Sequence, residues 1–165
     1  MNQGKQRVFL GEYEVSLAPR NRILIPSEFR RNIDPEKDGN KLCVTYIGSN
    51  ACIYVYSDYM NMTVTHIRPG ISPSPELLDW INAKIGQAHE IEMDGQGRVV
   101  LPESVVKRVK LDKDLTLVGR VNHISIWNRS AWEAERERLE GRLRDIEKWG
   151  GENLKERSAE LPKAE

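Results

Sequence analysis

Apolar and polar residues alternate over Tyr13, Val15 and Leu17. The alternation breaks at Ala18–Arg22, resumes at Ile23 and Ile25, and widens to a helical spacing at Phe29 and Ile33. A period of two predicts strands with one buried face; the wider spacing predicts a helix with one apolar face. The same sentence is then written again. Tyr13–Ile33 returns as His89–Val109, with Arg22 matching Arg98 and Pro26 matching Pro102, both 76 positions on. Glu14 matches Glu90, Leu17 matches Met93, Ile25 matches Leu101 and Ile33 matches Val109. Each copy reads strand, short basic loop, strand, helix. Pro26 and Pro102 are expected at the first helical position, where a missing N–H would be unpaired anyway. Two copies are too few for a solenoid and predict two lobes that pack on each other.

Each copy continues into a hairpin. The first pairs Leu42–Ile47 with Cys52–Tyr56 around Gly48, Ser49 and Asn50; the second pairs Leu115–Val118 with Ile124–Trp127 around Asn122. Tyr56 and Trp127 are taken as equivalent, which makes the second copy five residues shorter between helix and hairpin end, a difference expected in a surface turn; Asp34–Asn40 reads as a turn. Between the copies lie two helices. Ser57 caps the first, which runs to about Ile67; Arg68–Pro75 breaks it; Ser74 and Pro75 open the second, with Leu77, Leu78, Ile81, Ile85 and Trp80 as its apolar face. That face suits a core or a subunit contact better than a ligand pocket. Ser130-Ala131-Trp132-Glu133 reads as a capping box opening a charged helix with a thin stripe of Trp132, Leu139, Leu143 and Ile146. The stripe fits either a solvated helix or packing on a neighbouring subunit. The resulting division is 7–56 first repeat, 57–87 helical linker, 88–128 second repeat, 129–149 C-terminal helix and 150–165 flexible tail, with a flexible arm over 1–6.

FLGEY (Phe9–Tyr13), the loop before ILIPSEFR and the second loop DGQGRVVLP resemble the MraZ family, bacterial DNA-binding proteins related to the AbrB-type swapped-hairpin transcription factors. The resemblance covers about Val8 to Glu133. It implies an α+β fold, a double-split β-barrel built from two strand-loop-strand-helix repeats. It also implies assembly into a homo-oligomeric ring larger than a dimer, and sequence-specific regulation of the cell-division and cell-wall operon through repeated promoter elements. The family loop runs Asp-x-(Lys/Arg)-Gly-Arg. Here the first loop has Ala18 for the Asp and Asn21 for the Gly but keeps Arg20 and Arg22. The second keeps Asp94, Gly97 and Arg98 but has Gln96 at the first basic position. Arg20, Arg22, Gln96 and Arg98 are thus the candidate contacts to double-stranded promoter DNA, with Asn21, Asp94 and Gly97 shaping the loops. Arginine forks onto the O6 and N7 of guanine, and glutamine suits adenine. The rival expectation for each arginine is a surface ion pair with Glu14 or Glu92. For the chain, the rival is a ring-forming scaffold with weakened DNA loops.

Composition narrows this picture. The 165 residues carry 25 basic and 25 acidic side chains, so whole-chain attraction to nucleic acid is absent and a local patch must act. Residues 1–35 hold six basic and four acidic groups, a balance of plus two. The two cysteines, Cys43 and Cys52, read as buried strand residues; their spacing and the scattered His66, His89 and His123 predict neither disulfide nor zinc. No nucleophile–base arrangement, carboxylate pair or phosphate-binding glycine loop predicts an enzyme, a cofactor or a small-molecule substrate. Asp94 reads as an Asx turn bonding loop amides. Polar residues at the start and no long apolar run predict a cytoplasmic protein without a membrane partner; the family resemblance implies that it is nucleoid-associated.

Overall fold

The computed structural model describes residues 7–64, 70 and 72–159. Five α-helices and eight strands are assigned among them, all strand pairs being antiparallel. The first repeat supplies β1 (Glu12–Ser16), β2 (Arg22–Leu24), the short helix α1 (Ser27–Arg30), β3 (Lys41–Ile47) and β4 (Asn50–Val55). Helices α2 (Tyr56–Val64) and α3 (Pro75–Gly86) follow. The second repeat supplies β5 (His89–Glu92), β6 (Arg98–Val100), α4 (Glu103–Arg108), β7 (Asp114–Gly119) and β8 (Ile124–Asn128), and α5 spans Arg129–Ala159. The chain divides into two units between Arg129 and Ser130.

The repeats are interleaved rather than stacked. Six strands form one sheet in the order β1-β7-β8-β4-β3-β5, and β2 and β6 form a separate ribbon. The first strand of each repeat pairs with the third strand of the other: Tyr13 faces Leu117, and Ile91 faces Leu42. In the ribbon, Ile23 faces Val99, its own counterpart 76 residues on. A local pseudo-twofold therefore passes between them. The flanking bonds obey it: Ile25 N–H donates to the Gly97 carbonyl and Leu101 N–H to the Asn21 carbonyl, each at 2.8 Å.

Alternation sorts the sheet residues. Leu42, Val44, Ile53, Val55, Leu115, Leu117, Ile124 and Ile126 join Ile23, Ile25, Phe29, Val99, Leu101 and Val105 in one buried core shared by both repeats. The other face of β3 and β4 buries Cys43, Cys52 and Tyr54 with Tyr59 of α2. The Tyr59 hydroxyl donates to the Lys84 carbonyl at 2.8 Å, tying α2 to α3. Of the apolar α3 residues only Ile81 is buried; Leu78, Trp80 and Ile85 remain exposed.

Several expectations shift by small, explicable amounts. Pro26 and Pro102 cap their helices from outside, with ψ of 146° and 137°; their carbonyls accept the first helical N–H groups, from Phe29 and Arg30 and from Val105 and Val106. The register Leu42 to Val55 and Leu115 to Asn128 makes Tyr54, not Tyr56, the counterpart of Trp127. The offset falls from 76 at the ribbon to 73 at the hairpins, so the second repeat is three residues shorter, not five. The missing residues belong to the turn before the hairpin. Strand β4 runs straight into α2 at Tyr56, which puts Ser57 inside the helix rather than at its cap; residues 65–67, its expected end, lie outside the described residues. Ser74 does cap α3, accepting the Leu77 N–H at 3.3 Å. Likewise β8 runs straight into α5, so Ser130 is helical and opens no capping box. The Asn128 side chain is used elsewhere, accepting the Asp112 N–H and donating to the Lys110 carbonyl. Helix α5 continues past Gly150-Gly151 to Ala159.

The N-terminal segment is strapped to the second hairpin. Phe9 is buried and exchanges two backbone bonds with Val121, at 2.7 and 3.1 Å. Gly119 permits this approach, since a Cβ there would lie 2.5 Å from the Phe9 carbonyl. Arg7, counted above with the basic residues of the N-terminal segment, is instead an internal clamp. It grips Asp38 through both terminal nitrogens at 2.7 and 2.8 Å, Asp58 through Nε at 2.6 Å, and the Asn32 carbonyl at 2.6 Å.

Candidate nucleic-acid interface

Strands β2 and β6 alternate strictly. Ile23 and Val99 point into the core, which leaves Arg22, Leu24, Arg98 and Val100 on the outer face. Arg22 sits opposite Val100 and Arg98 opposite Leu24. The two arginines are therefore diagonal neighbours, a relation that sets residues about 7–8 Å apart with their Cβ atoms somewhat closer. Leu24 and Val100 remain 48% and 52% exposed between them. Each strand begins at a loop, and antiparallel pairing puts the two loop tips at opposite ends of this three-residue ribbon.

The tips hold their shape by different means. At the second, Asp94 Oδ1 accepts the N–H groups of Gln96 and Arg98, both at 2.9 Å, and Gly97 turns the chain at φ +82°. Asp94 Oδ2 accepts from Arg98 Nε at 3.1 Å. The Arg98 N–H bond contributes most to holding the Asp94 carboxyl below its usual range, followed by the Gln96 N–H and the guanidinium. The first tip has Ala18 where Asp94 would be. Pro19–Asn21 forms a tight turn, closed by reciprocal bonds between Ala18 and Arg22, with Arg20 at φ +62° and Asn21 at φ +57°, both left-handed. Asparagine tolerates that region well and arginine less so. The tips thus differ in backbone at the Arg20 and Gln96 positions.

Their electrostatics differ as well. Among the described residues Arg20 and Arg22 form no ion pair, whereas Arg98 is paired with Asp94. Glu14, an expected alternative partner, pairs instead with Arg129 at 3.6 Å. The region around the second tip also contains Arg30, which the sequence reading did not single out. Its side chain crosses Gly97 so closely that a Cβ there would meet Arg30 Cδ at 2.5 Å, and its Nε donates to the Ile25 carbonyl at 2.9 Å. A groove of about 570 Å³ opens beside it.

Comparison with known proteins places this sequence in a lineage. A protein from Hydrogenovibrio crunogenus named transcriptional regulator MraZ is 31% identical over 131 residues, which is 78% of this chain and 84% of that protein. The chain belongs to the MraZ family. Proteins of the same name from Pseudomonas fluorescens and Lachnoclostridium phytofermentans are 33% and 31% identical, over 77% of this chain in each case and 84% and 86% of theirs. The family model described as "MraZ protein, putative antitoxin-like" matches residues 85–148. That span contains the second tip of this MraZ-family chain.

Other chemistry is sparse. Among the described residues no three His, Cys, Asp or Glu side chains gather as a metal site, and no helix is long and apolar enough to cross a membrane. Cys43 and Cys52 are free and buried, and burial pushes both thiols up to about 11, so they are protonated at neutral pH. His123 stacks on Tyr54 with ring centroids 4.7 Å apart, and burial, then Arg120, lowers its pKa.

Proposed function

We propose that this chain is a DNA-binding transcriptional regulator that lays the outer face of β2 and β6 against promoter DNA. The observation that carries this is the placement of Arg22 and Arg98 as diagonal neighbours on one exposed ribbon, with Arg20 forming no ion pair among the described residues at the adjoining tip. The names of the relatives support the same reading. A two-stranded ribbon fits the major groove, where arginine reaches phosphates or forks onto guanine. Gln96 favours adenine if its tip enters the groove.

One chain brings few cations, which gives weak and salt-sensitive binding. A ring of more than two copies on repeated promoter elements overcomes this through avidity. In this proposal residues 7–56 and 88–128 are two halves of one double-split barrel, 57–87 links them, and 129–149 serves assembly. The targets are the repeats upstream of the cell-division and cell-wall operon, which would place the protein on the nucleoid. Gel shift against the region upstream of its own gene, at several salt concentrations and with light scattering in parallel, tests the proposal. Salt-dependent binding by an oligomer larger than a dimer is expected; a monomer, or no binding at low salt, overturns it.

Exposed Leu24 and Val100 on the same face, with Asp94 neutralising Arg98, favour a second reading, a ring-forming scaffold that holds protein instead of DNA. Assembly without salt-dependent DNA binding would select it.

A further inference from the structure

The two tips do not offer DNA equal charge from their own residues. Residues 18–22 carry Arg20 and Arg22, a balance of plus two; residues 94–98 carry Arg98 and Asp94, a balance of zero. A pseudo-symmetric surface with one neutral end would grip one side of the duplex only. Building on the DNA-binding reading above, we propose that Arg30 is a DNA-contacting residue of the second tip, supplied by the first repeat across the pseudo-twofold.

Three observations carry this. Arg30 leaves α1 and lies over Gly97, in the loop of the other repeat. Its stem is braced: Nε donates to the Ile25 carbonyl, and Ile25 N–H donates in turn to the Gly97 carbonyl. That bond uses one edge of the guanidinium and leaves the edge between its two terminal nitrogens, the one that forks onto a phosphate. No carboxylate forms an ion pair with Arg30 among the described residues. Finally, the device exists on one side only. The position 76 residues beyond Arg30 is Val106, half-buried and uncharged, and the tip nearest it already has Arg20. Each tip then holds two arginines, Arg20 with Arg22 and Arg30 with Arg98. The groove beside Arg30, walled by Pro35, Asn40, Met93 and Asp94, opens where the first repeat's turn is three residues longer, and it gives a phosphate access to the guanidinium.

The test is fluorescence anisotropy of the full chain on duplex DNA from upstream of its own gene, across a salt series. The variants are R22A, R98A, R30Q, R30K and the double variant R30Q/Q96R, with melting curves for each. R30Q is expected to bind more weakly and to flatten the slope of log K against log salt by about one phosphate, roughly 0.9. R30K should keep the slope. Q96R should restore it in the R30Q background by returning a cation to the tip from the other side, which a bracing role would not allow. Equal losses in R30K and R30Q with no rescue by Q96R would reduce Arg30 to a brace and overturn the proposal. So would a wild-type slope in R30Q alongside clear losses in R22A and R98A. If R22A and R98A also bind like the wild type, the DNA-binding reading itself fails.

Discussion

At the residue scale, Val121 is the clearest instance of stored strain. It is β-branched, yet φ is +66°, and its counterpart in the first hairpin is Gly48 at φ +59°. Left-handed backbone costs an L-residue about 1–2 kcal/mol, and here the paired bonds to Phe9 hold it in place. Val121→Gly should relieve that strain against about 0.5–1 kcal/mol of added chain freedom, and so raise the melting temperature by up to a few degrees in a thermal melt. Arg7 makes the opposite case. Arg7→Ala strands Asp38 and Asp58 and should lower stability by about 2 kcal/mol in urea titration. The bond from Arg7 is the main reason Asp38 sits below its ordinary pKa, and the Arg7 guanidinium is raised in return, chiefly by Asp38. A depressed carboxyl stabilises the fold fully above its unfolded value, about pH 3.9, and loses that contribution as pH falls further. The wild type should therefore lose stability below about pH 4 more steeply than Arg7→Ala. Residue identity announced only part of this. Asn21 and Gly97 are types that invite positive φ; Arg20 and Val121 are not, and only the bonds around them explain their conformation.

At the element scale, β1, β2, β5 and β6 were legible because one face of each is more buried than the other, so Tyr13, Val15, Ile23 and Val99 state their own register; β3 and β4, buried on both faces, read as apolar runs instead. Helix starts were less so. Ser57 and Ser130 have the chemistry of caps, but the strands before them run on without a break and leave no cap position to fill. The ribbon gives this scale its prediction. Arg22 and Arg98 stand on exposed strand faces where substitution costs little stability. Arg22→Ala and Arg98→Ala should each weaken DNA binding by about 1–3 kcal/mol while leaving the melting curve cooperative and in place. Wild-type affinity in both would remove the ribbon from the interface. The candidate contacts were readable because the same loop occurs twice; Arg30 was not, because its partner Gly97 belongs to the other copy and no spacing within a repeat relates them.

At the scale of the molecule, the exchange of first strands makes neither repeat complete. Residues 7–64 lack a partner for β1 and residues 72–129 lack one for β5, so each fragment expressed alone should be unfolded by circular dichroism. Mixed together, they should recover strand signal and a cooperative melt. A folded 7–64 fragment would contradict the interleaved topology. The repeat itself was legible as a pattern, but two lobes packing side by side and two lobes sharing strands write the same sequence; the distinction lies in which edges pair.

The interleaving also shapes synthesis. Tyr13 pairs with Leu117, 104 residues later, so β1 leaves the ribosome long before its partner exists. Until β7 is translated, the growing chain carries open strand edges on an incomplete sheet, the state most prone to aggregation and degradation. A message broken or stopped upstream of that point should yield no half-working protein, only a peptide that chaperones hold and proteases clear.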